Sequence, residues 1–187
     1  RPTVEDGVLD QRSLGIITAQ LLPANAIVSD EGVSSGGQVY RYSAGAPKHD
    51  WMTITGGAIG QGLPLATGAA IACPDRKVIA IQADGSAMYT VQALWTMARE
   101  NLDVTVVILK NNSYGILNIE LDRVGVTAPG PKALSLLDLS NPVIDWVAMS
   151  HSMGVPARSA STTQEFRAAL SAAVAHDGPR LVEAVLA

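Results

Sequence analysis

The chain has little of several residue types, and each shortage argues against a class of protein. Cys73 is the only cysteine in 187 residues, which excludes a disulfide framework and is typical of a reducing compartment such as the cytoplasm. Aromatic residues make up 4% of the chain, and acidic residues outnumber basic ones to give a net charge of −4. This charge argues against a nucleic-acid-binding surface. The apolar runs are shorter than the ~20 residues of a membrane-spanning helix, so we expect neither a membrane segment nor a secretory leader.

The residues that are abundant indicate closely packed layers of helix and sheet. Hydrophobic residues make up 48% of the chain, and there are 17 glycines. A chain of this length can bury a full core in one domain. We expect residues 1–10 to be a linker and residues 11–187 to be that domain. Because the chain begins at Arg1 without an initiator methionine, we also expect it to be part of a longer protein.

The centre of the sequence predicts a strand, a helix and a second strand. Residues 78–81 and 104–109 are short apolar runs, which are typical of parallel strands covered on both faces. The residues between them, 90–101, have helical spacing. The apolar face of this helix would consist of Val91, Leu94, Trp95 and Ala98. Strand and helix alternate along the rest of the chain, so we predict an α/β fold with a doubly wound parallel sheet and helices on both faces.

The remaining elements are predicted from apolar runs, prolines and capping residues. Helices are expected over residues 11–22, 59–73, 114–122, 142–152 and 163–176, and strands over residues 26–29, 156–159 and 181–185. Residues 30–43 should form a polar turn with a short helix, and residues 44–52 a loop. Residues 123–141 form the longest predicted loop, whose length suggests a mobile, functional segment. The expected N-caps of the last two helices are Asn141 and either Thr162 or Thr163.

Polar residues follow the two central strands, at the point where each strand ends. Asp84 follows the first strand and Asn111 follows the second, 27 positions later. Because parallel strands end at the same edge of a sheet, these oxygen-bearing side chains should meet there. Mg²⁺ prefers about six oxygen ligands and takes only some of them from protein. Gly85 and Ser86 would open the following helix, whose N–H groups can receive a phosphate. The pattern therefore predicts a site that holds a divalent cation and, through it, a diphosphate.

Each of these residues has an ordinary structural explanation when it is taken alone. Asp84 could be a helix N-cap, and Asn111 could be a turn residue. The metal interpretation gains weight because both residues occur together with Ser86 and neighbouring glycines. The sequence shows neither the His and Cys spacing of a zinc site, nor a Walker phosphate loop, nor a nucleophile elbow.

These residues resemble the motif of thiamin-diphosphate-dependent enzymes, in which Gly-Asp-Gly is followed after a spacer by Asn. Here the first glycine is replaced by Ala83, which should be tolerated unless the backbone needs a positive φ. Residues 56–64 resemble the glycine-rich turn and helix that precede the motif in acetolactate synthases and benzoylformate decarboxylases. Residues 113–121 resemble the segment after the metal loop in acetolactate-synthase-like large subunits. The resemblance covers most of residues 14–186 and implies the C-terminal, diphosphate-binding (PP) domain of such an enzyme.

The resemblance implies that the site binds Mg²⁺ together with thiamin diphosphate. Its metal ligands would be Asp84, Asn111 and the backbone carbonyl of Ser113. Alignment of residues 113–115 with the family favours Asn111 as the second ligand, and Asn112 is the alternative.

Further residues would hold the rings and the diphosphate of the cofactor, again by resemblance. The carbonyl of Gly57 would accept a hydrogen bond from the aminopyrimidine. Ile59 would support the bent cofactor under its thiazolium ring, unless it is simply a core residue. Ser34 and Ser35 would approach the diphosphate. The other residues implied to contact the cofactor are Ala58, Gly85, Ser86, Tyr89, Tyr114 and Gly115. The last two would offer backbone N–H groups to phosphate.

Two more residues near these segments are candidates for a role. Glu31 follows Asp30 at the end of the first strand, and we favour a hydrogen-bonding role for it over that of an acid or base. His49 precedes the glycine-rich turn and could face substrate, although a loop histidine is more often a polar surface residue.

The resemblance implies an acetolactate-synthase-like enzyme of branched-chain amino acid biosynthesis. Such an enzyme decarboxylates a 2-oxo acid such as pyruvate and joins the product to a second 2-oxo acid. The alternatives are a 2-oxo acid decarboxylase of the benzoylformate decarboxylase type and a non-catalytic α/β binding module. The activating glutamate would belong to the pyrimidine-binding domain of a neighbouring subunit in a homodimer or homotetramer. That domain and the central domain, in which some synthases carry FAD, are absent from this sequence, so we expect the chain alone to be inactive.

Overall fold

Residues 2–187 are described by a computed structural model whose centre is a six-stranded sheet. Its strands are β1 (Ile27–Glu31), β2 (Asp50–Thr53), β3 (Val78–Ala83), β4 (Val104–Lys110), β5 (Ala157–Ala160) and β6 (Arg180–Val185). They lie in the order β2-β1-β3-β4-β6-β5, and every pairing is parallel. The predicted α/β fold with a parallel sheet is confirmed.

Helices cover both faces of the sheet. They are α1 (Gln11–Leu21), α2 (Val33–Ser43), α3 (Gly62–Ala72), α4 (Asp84–Ala87), α5 (Ala93–Arg99), α6 (Gly115–Arg123), α7 (Pro131–Ser135), α8 (Trp146–Ser152) and α9 (Thr163–Val174), with a 3₁₀ turn at Thr55–Gly57. One core, which includes Val39 and Phe166, lies between the sheet and α1, α2 and α9. The other, which includes Leu63, Leu94 and Trp146, lies beneath α3, α5 and α8. Within residues 2–187, none of the helices has the length and apolar character needed to cross a membrane.

The two central strands form because their sequences are apolar toward both faces. All seven residues of β4 and five of the six residues of β3 are buried. Lys110 is a charged residue of the buried strand β4. Its ammonium group lies 2.7 Å from the carboxylate of Glu183, and this ion pair compensates for the burial of the charge. The register places Ala83 beside Leu109. The residues that follow β3 and β4 therefore emerge together at one edge of the sheet.

Several helices begin where the sequence predicts. Asp10 is the N-cap of α1 and accepts a hydrogen bond from the Ser13 N–H at 2.7 Å. Thr162 is the N-cap of α9 and accepts from the Glu165 N–H at 3.2 Å. This contact resolves the choice between Thr162 and Thr163.

Three predictions near the site are wrong in detail. Residues 50–52, expected in a loop, belong to the edge strand β2, whose partly exposed residues carry little hydrophobic signal. The helix expected from residue 59 begins at Gly62, because Gly60 has a φ of +97° that a right-handed helix cannot contain. The short helix expected within residues 30–43 is a full helix of eleven residues, α2.

The helix predicted over residues 90–101 is shorter, and its predicted face is wrong at one position. A separate turn, α4, follows β3 directly, and α5 covers only Ala93–Arg99. Trp95 is 54% exposed, with the guanidinium of Arg99 5.3 Å from its ring centroid. Met97 is buried in its place.

The segment before β5 also differs from the prediction. α8 begins at Trp146, and its N-cap is Asp145 rather than Asn141. The Asp145 carboxylate accepts from the Ala148 N–H at 2.8 Å. α7 lies within the long loop predicted over residues 123–141.

Residues of the predicted linker contact the domain. Leu9 is fully buried, and its N–H donates to the carbonyl of Ser161 at 3.0 Å. The carbonyl of Gly7 accepts from the Thr163 N–H at 2.9 Å. These contacts join residues 7–9 to the start of α9.

Candidate functional site

The site lies where the winding of the chain changes direction across the sheet. From β1 the chain passes to β2 on one side and then to β3 on the other. The carboxyl ends of β1 and β3 therefore flank a topological switch point, where α/β folds bind their ligands. A cavity of about 330 Å³ opens there, lined by residues that follow β1, β3 and β4 together with Ile59 and Leu136.

Asp84 connects the ends of two strands. It follows β3 directly and is 2% exposed. Its Oδ1 atom accepts a hydrogen bond from the Gly85 N–H at 2.9 Å. Its Oδ2 atom accepts from the N–H groups of Asn111 at 3.1 Å and Asn112 at 2.7 Å. Burial raises the pKa of Asp84, while these hydrogen bonds act in the opposite direction because they favour the charged form. The carboxylate is thus held in a fixed orientation at the cavity wall.

The loop after β4 presents Asn111 rather than Asn112 to the cavity. Asn112 has a φ of +55°, a left-handed conformation that asparagine adopts more readily than most residues. Among the described residues, Asn111 and Ser113 line the cavity and Asn112 does not. The Oδ1 atom of Asn111 accepts from the Ser113 N–H at 2.9 Å, and its Nδ2 atom lies 3.5 Å from Oγ of Ser35. The position of Asn111 in the cavity lining is consistent with the prediction that it, rather than Asn112, is a metal ligand.

The same loop is fixed by residues 137–139. The Tyr114 N–H donates to the carbonyl of Leu137, and the Leu139 N–H donates to the carbonyl of Asn112, both at 2.9 Å. The Tyr114 N–H, predicted as a phosphate donor, is therefore bonded within the protein. Gly115 begins α6, where the first N–H groups of a helix have no partner within the helix.

The donor set suits a hard divalent cation. Asp84 offers a carboxylate, Asn111 an amide oxygen and Ser113 a backbone carbonyl, and oxygen ligands of these kinds are those that Mg²⁺ prefers. Within residues 2–187 there is no group of three His, Cys, Asp or Glu side chains placed to hold a metal. A cation beside Asp84 would therefore need amide and carbonyl ligands as well, and the residues present fit that requirement.

Two glycines allow the loops around this donor set to approach closely. A Cβ atom at Gly115 would lie 2.9 Å from Oγ of Ser34 and 3.3 Å from Nδ2 of Asn111. A Cβ atom at Gly85 would lie 2.6 Å from the ring of Tyr114. The Ser34 hydroxyl and the Asn111 amide thus lie close to the start of α6. Together with the free N–H groups of this helix N-terminus, they could bind a small anionic group.

The residues predicted beside the diphosphate have different environments. Ser34 lines the cavity, whereas Ser35 is 1% exposed and does not appear in the lining formed by residues 2–187. Ser86 lines the cavity, and its hydroxyl donates to the carbonyl of Ala83 at 3.1 Å. Tyr89 also lines it and is 65% exposed.

Ala83 takes the place of a glycine without backbone strain. Its φ of −76° and ψ of 148° are those of an extended strand, a conformation open to any residue. The backbone at this position therefore does not need a positive φ, which is the condition on which alanine was expected to be tolerated.

The glycine-rich turn brings one of its three predicted residues into the cavity. Ile59 lines the cavity. Gly57 and Ala58 are exposed and are not among the described lining residues. A Cβ atom at Gly57 would meet nothing within 4 Å, so this part of the turn projects outward.

Glu31, the last residue of β1, anchors the glycine-rich turn to the sheet. It is 1% exposed, and its Oε1 atom accepts from the Gly60 N–H at 2.7 Å. Its Oε2 atom accepts from the Gly62 N–H. The hydrogen-bonding role predicted for Glu31 is confirmed.

His49 lies away from the cavity. Its Nδ1 atom is 2.7 Å from the carbonyl oxygen of Pro47, and its ring centroid is 5.9 Å from that of Trp51. These contacts support the interpretation of His49 as a surface residue.

Sequence reasoning assigned no role to four apolar residues of the cavity. They are Val33, Ile116, Leu117 and Leu136. Ile116 and Leu117 could have been identified from the sequence, because they lie at the start of the predicted helix that follows the metal loop. Val33 has a φ of +46°, which is rare for a β-branched residue and leaves no mark in the sequence.

A parallel sheet that places a carboxylate and an amide oxygen at its switch point defines a diphosphate-binding α/β domain. Comparison with known proteins gives the family. The model described as "Thiamine pyrophosphate enzyme, C-terminal TPP binding domain" matches residues 33–184. The chain belongs to this family of thiamin-diphosphate-binding domains.

Individual relatives are similar over all or nearly all of the chain. A Mycobacterium tuberculosis protein named "Putative acetolactate synthase large subunit IlvX" is 53% identical over 187 residues, which are 100% of this chain and 36% of that protein. Benzoylformate decarboxylase of Pseudomonas aeruginosa is 34% identical over 180 residues, covering 96% of this chain and 33% of the enzyme. The solved structure of the thiamine diphosphate-dependent 4-hydroxybenzoylformate decarboxylase of Rhodococcus jostii RHA1 matches with a TM-score of 0.84 and 30% identity. That match covers 100% of this chain and 34% of the solved one. The chain thus spans about a third of the length of these relatives.

Proposed function

We propose that the chain is the cofactor-binding domain of an acetolactate-synthase-like enzyme that uses thiamin diphosphate and Mg²⁺. This enzyme decarboxylates a 2-oxo acid such as pyruvate and joins the product to a second 2-oxo acid. The observation that carries the proposal is the meeting of Asp84 and Asn111 at the carboxyl ends of β3 and β4, in a cavity that Ile59 also lines. The 53% identity to a protein named for acetolactate synthase supports the choice of reaction.

The residues of this chain bind and orient the cofactor in the proposed enzyme. Bound thiamin diphosphate supplies the nucleophilic carbon and accepts the electrons released when CO₂ leaves. Asp84, Asn111 and the Ser113 carbonyl would hold Mg²⁺, whose charge would offset that of the diphosphate. The Ser34 hydroxyl and the Gly115 N–H, close to this donor set, donate to the diphosphate oxygens.

The glycine-rich turn serves the rings of the cofactor. Ile59 lines the cavity and would pack against the thiazolium ring. The carbonyl of Gly57 would accept a hydrogen bond from the aminopyrimidine. Gly57 and Ala58 are exposed in this chain, so a neighbouring domain is needed to enclose that ring.

A second domain would also cover the apolar surface around the cavity. α3 is composed almost entirely of apolar residues, yet Pro64, Gly68 and Ile71 on one side of it are exposed, and helices that are apolar all round are normally buried. At the cavity, Tyr89 is 65% and Leu136 71% exposed. This surface supports packing against the pyrimidine-binding domain of a neighbouring subunit in a homodimer or homotetramer. That domain would supply the glutamate that activates the cofactor.

A 2-oxo acid decarboxylase is the second candidate. The likeness to two benzoylformate-type decarboxylases, at 34% and 30% identity, favours it. The two reactions share the cofactor site and differ in whether a proton or a second 2-oxo acid takes up the product of decarboxylation. Product analysis on the longer protein that contains this chain separates them. With pyruvate, acetolactate is the expected product, and an aldehyde would favour the decarboxylase.

Binding selectivity tests the cofactor itself. Equilibrium dialysis would compare thiamin diphosphate, ADP and inorganic diphosphate, each with Mg²⁺. Tighter binding of thiamin diphosphate than of ADP is expected. A preference for ADP would contradict the proposal and favour a nucleotide-binding module without catalytic function.

A further inference from the structure

Glu31 is a buried carboxylate that neither the metal site nor the diphosphate site uses. Both of its oxygen atoms accept hydrogen bonds from the glycine-rich turn, one from Gly60 and one from Gly62. Hydrogen bonds to a charged acceptor are stronger than neutral ones, and a buried charge that loses its partners is costly. The turn therefore cannot move away from β1 without leaving Glu31 unpaired.

Other contacts hold the same two glycines. The Ser29 hydroxyl donates to the carbonyl of Gly62 at 2.8 Å, and the Thr90 hydroxyl donates to the carbonyl of Gly60 at 3.0 Å. The N–H and the carbonyl of both glycines are thus engaged. Gly60 also packs closely, since a Cβ atom there would lie 3.1 Å from Cβ of Tyr89.

Ile59 lies between an anchored residue and a part of the turn that has open surroundings. It immediately precedes Gly60, and its side chain lines the cavity. On its other side, Gly56 and Gly57 have nothing within 4 Å of their Cβ positions. The location of Ile59 is therefore set from the side of Gly60, and the buried group that fixes Gly60 from the sheet is Glu31.

We propose that Glu31 is a positioning residue that acts through Gly60 to fix Ile59 against the rings of the cofactor. The inference rests on the proposed function, because it takes Ile59 as the residue that contacts the thiazolium ring. It divides cofactor binding into two parts. Asp84 and Asn111 hold the diphosphate through Mg²⁺, and Glu31 affects only the part of the affinity that comes from the rings.

The substitution Glu31→Gln separates these parts. Glutamine has the same shape, but its amide nitrogen cannot accept a hydrogen bond, so one glycine N–H loses its partner. An unpaired buried donor is costly, and we expect the affinity for thiamin diphosphate to fall roughly tenfold. The affinity for inorganic diphosphate, which has no rings, should change by less than about twofold.

Calorimetric titration of the chain with each ligand in the presence of Mg²⁺ measures the two dissociation constants. Thr105→Val is the matched control, because it removes a buried hydrogen bond from the Thr105 hydroxyl to the Ala173 carbonyl (3.3 Å) near the opposite end of β4. A general loss of stability would lower the affinity for both ligands by a similar factor. An unchanged ratio of the two constants in Glu31→Gln, with or without such a loss, would overturn the positioning role.

The unmodified chain distinguishes failure of the inference from failure of the proposed function. If it bound neither ligand, or bound inorganic diphosphate as tightly as thiamin diphosphate, the proposed function would be contradicted and the inference with it. If it preferred thiamin diphosphate and Glu31→Gln kept that preference, only the inference would be wrong.

Discussion

The Oδ2 atom of Asp84 lies 2.7 Å from the backbone nitrogen of Asn112, so the carboxylate at the end of β3 receives a hydrogen bond from the loop that follows β4. The Asn111 N–H donates to the same atom at 3.1 Å. Asp84 therefore orients the loop that carries Asn111 and also offers an oxygen to the proposed cation. The proposed metal ligands are thus arranged in advance by backbone contacts, as a precise binding site requires.

The alanine in the motif should not weaken the site. Ala83 has an extended, unstrained backbone conformation. The wider φ range of glycine would therefore bring no advantage in Ala83→Gly. We expect an affinity for thiamin diphosphate within about twofold of the unmodified chain and a free energy of unfolding lower by about 0.5–1 kcal/mol. Calorimetry and urea unfolding measure the two quantities. A gain in affinity of roughly tenfold or more would show that alanine impairs the motif.

The fold could be predicted largely because its central strands are apolar on both faces. β3 and β4 were located to within two residues at their ends, and the positions of Asp84 and Asn111 follow from that. The edge strand β2 could not be predicted, since its residues are partly exposed. Trp95 was predicted on the apolar face of its helix because it falls at helical spacing from Val91 and Ala98. In this chain it stacks with Arg99 at the surface.

The parts of the site that the sequence did not reveal depend on tertiary contacts. The bond between the Tyr114 N–H and Leu137 joins the metal loop to a segment with no motif of its own. The φ of Val33 and the hydrogen bond from the Gly60 N–H to the Glu31 carboxylate likewise have no local signature. The resemblance favoured Asn111 over Asn112 as a ligand, but the left-handed backbone conformation of Asn112 could not be predicted from one sequence.

The glycine-rich turn should be sensitive to substitution at Gly60. Gly60→Ala would place a Cβ atom on a backbone with φ of +97° and 3.1 Å from Cβ of Tyr89. We expect the free energy of unfolding to fall by about 1–3 kcal/mol and thiamin diphosphate to bind more weakly. Urea unfolding measures the loss.

Gly68→Ala is the control for Gly60→Ala. Gly68 lies within α3 with nothing within 4 Å of its Cβ position, so alanine should raise the free energy of unfolding by about 0.5–1 kcal/mol. Effects of the same sign at both positions would contradict this account of the turn.

The N-cap of α1 should make stability depend on pH. Hydrogen bonds from the hydroxyl and the N–H of Ser13 hold the pKa of Asp10 below its ordinary value. Because the pKa is lower in the folded state, the ionised carboxylate stabilises the fold above the unfolded pKa, and this contribution is lost as pH falls through the folded pKa. Asp10→Ala should therefore lower the free energy of unfolding by about 1 kcal/mol at neutral pH and by less at strongly acidic pH.

Urea unfolding at several pH values measures this dependence. Asp6→Ala changes an exposed aspartate four residues earlier and serves as the control. A loss for Asp10→Ala that is the same at neutral and strongly acidic pH would show that the charge of Asp10 does not contribute.

The chain alone should not turn over pyruvate. Glu31 is bonded to the backbone of the glycine-rich turn, and we assign the activating glutamate to a neighbouring domain. Release of CO₂ from pyruvate, followed with thiamin diphosphate and Mg²⁺ present, should not exceed that of the same mixture without the chain. Sustained turnover that requires the cofactor would contradict the need for a second domain.

The most direct test of the proposed site is a calorimetric titration with thiamin diphosphate, with and without Mg²⁺, of the unmodified chain and of Asp84→Asn. Asp145→Asn makes the same change at an exposed helix N-cap and is the control. The account predicts that Mg²⁺ tightens binding to the unmodified chain and to the control, and that Asp84→Asn loses roughly 10–100-fold in affinity with Mg²⁺ present. Binding to Asp84→Asn with the same affinity and the same dependence on Mg²⁺ would contradict it.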